Sequence, residues 1–133
     1  MGEAKEIEKC TIEDYYALPE GTRAELIDGV IYNMSPAPLR IHQAIIAEMI
    51  ISIGSFIKNH RGQCKVYPSP FDVRLNNDNV VQPDISVICD PDKLTDKGCD
   101  GAPDWIIEIT SSNYAHDYFT KANLYLISGV REY

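Results

Sequence analysis

The sequence predicts an α/β fold in which a mixed β-sheet is flanked by helices. Apolar residues recur at helical spacing over one long segment, residues 39–60. Short β-branched runs separated by turn residues fill residues 63–111, and a second helical pattern covers 113–128. The resulting order is α-β-β-α-β-β-β-β-α, with no internal repeat. A chain of 133 residues is long enough to form one domain with its own core.

The first helix is marked by its capping residues. Thr11 followed by Asp14 matches a capping box and predicts a short helix that Pro19 ends. Residues 1–10 are rich in charge, and we expect them to form a flexible N-terminus. We therefore place the folded domain at residues 11–133.

A hairpin and the long helix follow. Asp28-Gly29 separates the apolar runs 23–27 and 30–34, and this dipeptide is a strong hairpin signal. Residues 35–38 are predicted to be a loop. The amphipathic helix predicted over 39–60 has an apolar stripe formed by Ile45, Ile46, Met49, Ile50, Ile53 and Ile57.

Four further strands and a helix complete the pattern. The predicted strands cover residues 63–67, 71–75, 80–89 and 103–111. Pro83 implies an edge or a bulge in the third of them, and residues 90–102 are expected to be a polar loop. After the helix at 113–128, Gly129-Val130 resembles a helix C-cap that leads into a new strand. We therefore expect a C-terminally truncated domain that lacks its last strands.

Two acids lie inside strongly apolar strand sequences. Asp84 precedes Ile85-Ser86, and Glu108 lies between Ile107 and Ile109. An unpaired charge there costs several kcal/mol unless it is compensated. Side chains alternate between the faces of a strand, so the two acids converge on one face if the strands are neighbours. Two convergent carboxylates can hold a hard divalent cation such as Mg²⁺, with the carbonyl of Ile109 as a further ligand. The alternative is two acids at strand ends, one of them paired with Lys121 or Arg74.

A cation that could serve such a site comes from the last helix. Two positions beyond Glu108 the chain has Thr110 and not a lysine. Lys121 lies on the helix that follows the acidic strand, in a stripe with Asp117 and Tyr125, and its side chain is long enough to reach the carboxylates. The simpler interpretation is a helical ion pair between Asp117 and Lys121.

Charge and cysteine content limit the function classes. The net charge of −8 argues against a protein that coats nucleic acid through phosphate neutralisation, but it does not exclude an enzyme acting on nucleic acid. The four cysteines form no C-x-x-C pair, so a zinc site lacks its signature, and Cys64 and Cys89 are predicted to be small buried apolar residues. We find no signal peptide and no apolar run expected to span a membrane, and we predict a cytoplasmic protein.

The ordered combination of several motifs resembles one family. These motifs are Glu25-Leu26-Ile27-Asp28-Gly29, Arg40-Ile41-His42-Gln43, Val73-Arg74-Leu75, Gln82-Pro83-Asp84, Ala102-Pro103-Asp104, the Glu108 strand, Asp117-x-x-x-Lys121-x-x-x-Tyr125 and Gly129-Val130-Arg131-Glu132-Tyr133. Over residues 11–133 the chain is similar to the Uma-type family of restriction endonucleases, a branch of the PD-(D/E)XK nuclease superfamily. The resemblance implies a restriction-endonuclease-like core, DNA as substrate and a homodimer. Family members continue for several dozen residues beyond the Glu-Tyr at which this sequence stops.

The resemblance also implies site residues. Asp84 and Glu108 match the two metal-binding acids, and Lys121 matches the superfamily lysine, displaced here onto the following helix. Glu25 matches an acid of the first hairpin that completes the catalytic site, although alternation places Leu26 and not Glu25 on the presumed core face. His42 resembles a histidine at the start of the long helix, and a packing role is the alternative.

Three other residues are assigned structural roles. Asp104 lies on the face of Glu108 but follows Pro103, where a solvent-exposed turn is expected. Tyr125 is expected to pack in the core. Trp105 points away from Glu108 and is also expected to be buried.

These residues support three functions. The first is an endonuclease dependent on Mg²⁺ (or Mn²⁺) that hydrolyses DNA phosphodiester bonds, with Asp84 and Glu108 binding the metal. The second is a non-catalytic interaction or assembly module with a nuclease fold, favoured by the negative charge and by the lack of a basic stripe. The third is a metal-dependent hydrolase that acts on a smaller substrate.

Overall fold

The computed structural model describes residues 9–34, 39–110 and 115–133, without the side chains of 115–119. The predicted N-terminal flexibility and the loop at 35–38 lie mostly or wholly outside these residues. The helices are α1 (Ile12–Tyr16), α2 (Arg40–Asn59) and α3 (Ala115–Ser128), with a short 3₁₀ turn at Pro91–Lys93. The strands are β1 (Ala24–Ile27), β2 (Val30–Asn33), β3 (Lys65–Pro68), β4 (Asp72–Asn76), β5 (Asn79–Val81), β6 (Ile85–Ile88), β7 (Leu94–Thr95), β8 (Gly98–Asp100) and β9 (Trp105–Ile107).

The predicted mixed α/β fold is confirmed, but its strands form two sheets. The larger sheet has the order β2-β1-β5-β4-β8-β7, and the smaller has the order β3-β6-β9. The pairing of β4 with β8 is parallel, while the other paired strands in both sheets are antiparallel. The Asp28-Gly29 hairpin forms as predicted, with positive φ angles of 50° and 80° that suit its tight turn.

Pro83 marks the point at which the chain changes sheet. The strand predicted over 80–89 is divided into β5, in the larger sheet, and β6, in the smaller one. Proline cannot donate a backbone hydrogen bond to a ladder, so the break falls where the ladder would lose that bond. The 90–102 segment, predicted to be a polar loop, contains the β7–β8 hairpin instead.

Helix α2 packs along β3, where the Val66 side chain lies 3.8 Å from the position that a Cβ on Gly54 would occupy. Ile46 is buried, but Ile41, Ile45, Ile51 and Phe56 are exposed. Residues 40–59 have the length and the hydropathy, 1.3 on average, of a membrane-spanning helix. The sequence analysis found no apolar run expected to span a membrane, and this helix differs from that expectation in length and hydropathy. Only 6% of this segment is buried, and a single helix that meets criteria of length and composition assigns no membrane role by itself.

The main core lies between the smaller sheet, the larger sheet and α3. Its buried members are Val73, Val81, Ile88, Cys99, Ile106, Leu124 and Tyr125. A second cluster joins α1 to the other face of β1 through Ile12, Tyr15, Ala24, Leu26 and Val80. Strand β1 is therefore covered on both faces, which brings Glu25 beneath α3.

Two further predictions made from local sequence are wrong. Cys64 and Cys89, expected to be separate buried thiols, form a disulfide. They lie directly opposite each other, one residue beyond the Lys65–Ile88 pair of β3 and β6. Trp105 points away from the Glu108 face as expected but is 36% exposed, because it lies in β9, a strand at the edge of the smaller sheet.

Candidate active site

Asp84 and Glu108 meet at the end of the β6–β9 ladder. The last strand pair is Ile85 with Ile107, and the two acids are the next residues in register. The backbone N–H of Asp84 donates to Glu108 Oε1 at 3.2 Å. The N–H of Ile109 donates to Asp84 Oδ2 at 2.8 Å. The acids converge as alternation predicts, although each lies one residue outside its strand.

Lys121 reaches this pair from α3. Its Nζ lies 3.3 Å from Glu108 Oε2 and 2.9 Å from Glu25 Oε1. Only 16% of the lysine side chain is exposed. The alternative partner, the side chain of Asp117, lies outside the described residues. The lysine therefore bridges carboxylates from two different sheets.

Glu25 is buried, with 5% exposed. The expectation that alternation would leave it outside the core was wrong, because β1 has a packed layer on each face. Its Oε2 accepts the backbone N–H of Gln82 at 2.8 Å and lies 3.1 Å from Lys121 Nζ. A β-strand buried on both faces has no polar side, so alternation cannot identify such an acid.

Tyr125, which was assigned to packing, and His42, whose role was left open, also contact the two acids. The Tyr125 hydroxyl donates to Glu108 Oε2 at 3.2 Å, and no part of the residue is exposed. His42, in the first turn of α2, places Nε2 3.4 Å from Asp84 Oδ2. The i, i+4 spacing of Lys121 and Tyr125 was visible in the sequence and places both on one face of α3.

Burial and charge act in opposition on these groups. Burial raises the pKa of Glu108 to about 7, helped by Asp84 and Glu25 and opposed by Lys121. Burial lowers the pKa of Lys121, but the carboxylates of Glu108 and Glu25 outweigh it and raise that pKa above the usual range. The lysine is thus held as a cation, and Glu108 can change protonation near neutral pH.

A network of buried polar side chains lies next to Glu25. The side-chain amide of Gln82 donates to Asp72 Oδ1 at 2.8 Å. The Tyr15 hydroxyl donates to the carbonyl of Ala24 at 2.9 Å and lies 3.0 Å from the same Asp72 oxygen. These contacts hold the Ala24 carbonyl and Gln82, whose N–H Glu25 accepts, and they depend on tertiary packing that no local sequence pattern indicates.

Other candidate residues lie away from this cluster. Arg74 pairs with Asp100, at 3.4 Å, and not with either site acid. Asp104 accepts the N–H of Cys89 at 2.7 Å and is half-buried, so it serves the backbone of the smaller sheet. Asp104 therefore lies outside the cluster, but it is half-buried and not in the solvent-exposed turn that was expected.

The donor set suits a hard divalent cation held mainly by two carboxylates. Across the parts of the chain that the structure describes, no group of three or more His, Cys, Asp or Glu residues is arranged to hold a metal. Mg²⁺ commonly binds proteins through one or two carboxylates and keeps several waters or substrate phosphates. Asp84 and Glu108 meet that requirement, and the carbonyl of Ile109 is adjacent in sequence.

Comparison with known proteins gives a family and a solved structure. Residues 12–133 match the family model described as "Uma2: Putative restriction endonuclease". The fold matches the crystal structure of "a putative nuclease belonging to DUF820" from Anabaena variabilis, with a TM-score of 0.67 and 30% identity. The match covers 86% of this chain and 65% of that one, so the chain spans less than two thirds of the length of the solved nuclease. No curated protein sequence matches the chain.

Proposed function

The chain belongs to the Uma2 family, described as putative restriction endonucleases, and we propose that it is a divalent-metal-dependent nuclease that hydrolyses DNA phosphodiester bonds. One observation carries the proposal. The backbone N–H of Asp84 donates to Glu108, while Lys121, buried on a third element, lies 3.3 Å from the same carboxylate. Two carboxylates that can hold a divalent cation, with a side-chain cation beside them, suit metal-assisted hydrolysis of a phosphodiester.

Each residue has a distinct role in this proposal. Asp84 and Glu108 hold Mg²⁺ or Mn²⁺, which when bound lowers the pKa of water and offsets charge on the phosphate. Lys121 orients the attacking water and stabilises the negative charge that develops on the phosphate. Glu25 assists by holding Lys121, because its two oxygens lie 2.9 and 3.1 Å from Nζ.

The substrate, assembly and location are part of the same proposal. DNA is the substrate that membership of a family of restriction endonucleases suggests. A homodimer, a cytoplasmic location and the division at residue 11 between a flexible segment and the domain stay predictions from the sequence.

A non-catalytic module is the second candidate, and one observation favours it. Lys121 already neutralises part of the charge of Glu25 and Glu108 without a metal. Buried acids with such a partner can be retained for structure alone. The negative charge of −8 also gives the protein no general attraction to DNA.

Cleavage of supercoiled plasmid DNA tests the nuclease. We expect cleavage with Mn²⁺ or Mg²⁺ and none with EDTA. Asp84→Asn and Glu108→Gln should each lower the rate by at least about 100-fold, which corresponds to about 3 kcal/mol of transition-state stabilisation. Asp104→Asn is the matched control, because it changes an acid of the same sheet that makes no contact with the cluster in the part of the chain the structure describes.

Two outcomes would contradict the proposal. Cleavage that persists in both site variants would remove these acids from the mechanism. No heat of Mn²⁺ or Mg²⁺ binding at millimolar metal, in calorimetry of the wild-type chain, would favour the non-catalytic module.

A further inference from the structure

Each of the two site carboxylates has one oxygen that lies close to two polar groups. Asp84 Oδ2 accepts the N–H of Ile109 at 2.8 Å and lies 3.4 Å from His42 Nε2. Glu108 Oε2 lies 3.3 Å from Lys121 Nζ and accepts the Tyr125 hydroxyl at 3.2 Å. The same division occurs on both acids, although the donors come from different elements.

The second oxygen of each acid is less occupied. Within the described residues, which leave out the side chains of 115–119, Asp84 Oδ1 has no hydrogen-bond donor. Glu108 Oε1 accepts the backbone N–H of Asp84 at 3.2 Å and no other donor from the same residues. A carboxylate oxygen can take two partners, so both of these oxygens have lone pairs left for a cation.

We propose that His42 and Tyr125 are positioning residues that fix these carboxylates, so that Asp84 Oδ1 and Glu108 Oε1 each bind the metal through a single oxygen. This inference rests on the proposed function and deepens it. A carboxylate whose other oxygen is held by donors cannot easily turn to bind a cation with both oxygens. Single-oxygen binding suits small octahedral cations, whereas Ca²⁺ accepts two-oxygen binding and more ligands. The site therefore selects Mn²⁺ and Mg²⁺ over Ca²⁺.

Tyr125 has a hydroxyl where packing alone would favour phenylalanine. The residue is fully buried in the main core, and a buried hydroxyl costs free energy unless it has a partner. Glu108 Oε2 is that partner. Tyr125 and Lys121, one turn apart on α3, therefore both hold the same oxygen of Glu108.

His42 holds the other acid through one defined ring atom. Nε2 is the ring nitrogen that faces Asp84, 3.4 Å from Oδ2, and a carboxylate only accepts hydrogen bonds. The other ring nitrogen, Nδ1, is buried and has no partner within the described parts of the chain. The contact with Asp84 is then the polar interaction that orients this ring.

Mn²⁺ affinity of Tyr125→Phe tests the inference without relying on activity. Outer contacts to metal ligands typically contribute 10- to 100-fold to affinity, so we expect the calorimetric Kd for Mn²⁺ to rise by about that factor. Tyr67→Phe is the matched control, since Tyr67 packs against the same core and stacks on Phe71. Its Mn²⁺ affinity should equal that of the wild type.

His42→Phe and His42→Gln provide the second arm. Phenylalanine keeps a ring but no donor and should weaken Mn²⁺ binding about 10-fold, whereas glutamine keeps a donor and should restore part of it. His60→Phe, at the exposed C-terminal end of the same helix, is the control. In Tyr125→Phe and His42→Phe, Ca²⁺ affinity should fall less than Mn²⁺ affinity, because freed carboxylates can bind through both oxygens.

The possible outcomes distinguish failure of the positioning roles from failure of the proposed nuclease function. Wild-type binding of Mn²⁺ with unchanged Kd in both Tyr125→Phe and His42→Phe would overturn the positioning roles and leave the nuclease proposal intact. Equal losses for Mn²⁺ and Ca²⁺ would show a general structural defect and would also overturn the inference. No Mn²⁺ binding by the wild type, or full binding by Asp84→Asn, would overturn the proposed function itself.

Discussion

Lys121 is the residue on which the charge balance of the candidate site depends. Its Nζ is within 3.3 Å of both Glu25 and Glu108, which come from different sheets. Removing one partner of a buried ion pair leaves an uncompensated charge, which is far more costly than the pair is stabilising. The lysine therefore stabilises the fold as well as serving in the proposed chemistry.

A double-mutant cycle tests this balance. At pH 8 in EDTA, Lys121→Met should lower the free energy of unfolding by about 3 kcal/mol, because Glu25 loses its cation in a buried position. Adding Glu25→Gln removes that unpaired charge and keeps an acceptor for the Gln82 N–H, so the double variant should be more stable than Lys121→Met alone. Urea denaturation measures both. If the loss of stability in the double variant equals the sum of the losses in the two single variants, Lys121 and Glu25 are not coupled.

The sequence predicts part of the site, and the reasons are physical. The convergence of Asp84 and Glu108 on one face could be predicted for adjacent strands, because the alternation of side chains along a strand is a local property. The contact between the Tyr125 hydroxyl and Glu108 could not be predicted, because it depends on how α3 packs against the end of β9. The Cys64–Cys89 bond likewise depends on the register between β3 and β6, which neither strand sequence specifies alone.

At the scale of elements, the parallel pairing of β4 with β8 depends on one glycine. Gly98 has φ 143°, and a Cβ at this position would lie 2.1 Å from the carbonyl oxygen of Asp72. Gly98 is also the partner of Asp72 in the ladder register. Only a residue without a side chain allows the two backbones to approach this closely.

Gly98→Ala should therefore be strongly destabilising. We expect a loss of about 3 kcal/mol in the free energy of unfolding, since the backbone of Asp72 must shift to admit the methyl group. Gly21→Ala is the matched control, with φ 87° but nothing within 4 Å of the added Cβ. It should cost about 1 kcal/mol, from the backbone conformation alone. Equal losses in the two variants, measured by thermal or urea unfolding, would contradict the steric explanation.

The elements that were missed are those with weak local signals. Strands β7 and β8 have two and three residues in a polar stretch, and their pairing with β4 provides the context that makes them strands. The division of residues 80–89 at Pro83 was foreseen only as a bulge, because a change of sheet depends on where β1 and β3 lie. The long helix and the hairpin at Asp28-Gly29 were predicted well, because their periodicity and turn residues are local.

At the scale of the molecule, the candidate site joins most of the fold. Glu25 comes from the larger sheet, Asp84 and Glu108 adjoin the smaller one, His42 is on α2, and Lys121 and Tyr125 are on α3. A change of charge at Glu108 therefore alters the free energy of unfolding of the whole domain and not only the stability of one segment. The protonation of this residue connects the site to the pH dependence of folding.

In the metal-free protein, Glu108 should make stability fall as pH rises. Its pKa is raised from the usual 4.5 to about 7 by burial, so between these values the folded state binds more protons than the unfolded state. Its contribution is thus complete below pH 4.5 and is lost by pH 7, a change of roughly 3 kcal/mol at about 1.4 kcal/mol per pKa unit.

Glu108→Gln isolates this contribution. Urea unfolding in EDTA from pH 4.5 to 8 should give wild-type and variant curves whose separation changes by roughly that amount, the wild type losing stability relative to the variant as pH rises. The raised pKa of Lys121 adds a constant offset in this window, because its stabilising effect is lost only at strongly alkaline pH. Curves that stay parallel throughout would show that Glu108 titrates alike in the folded and unfolded states.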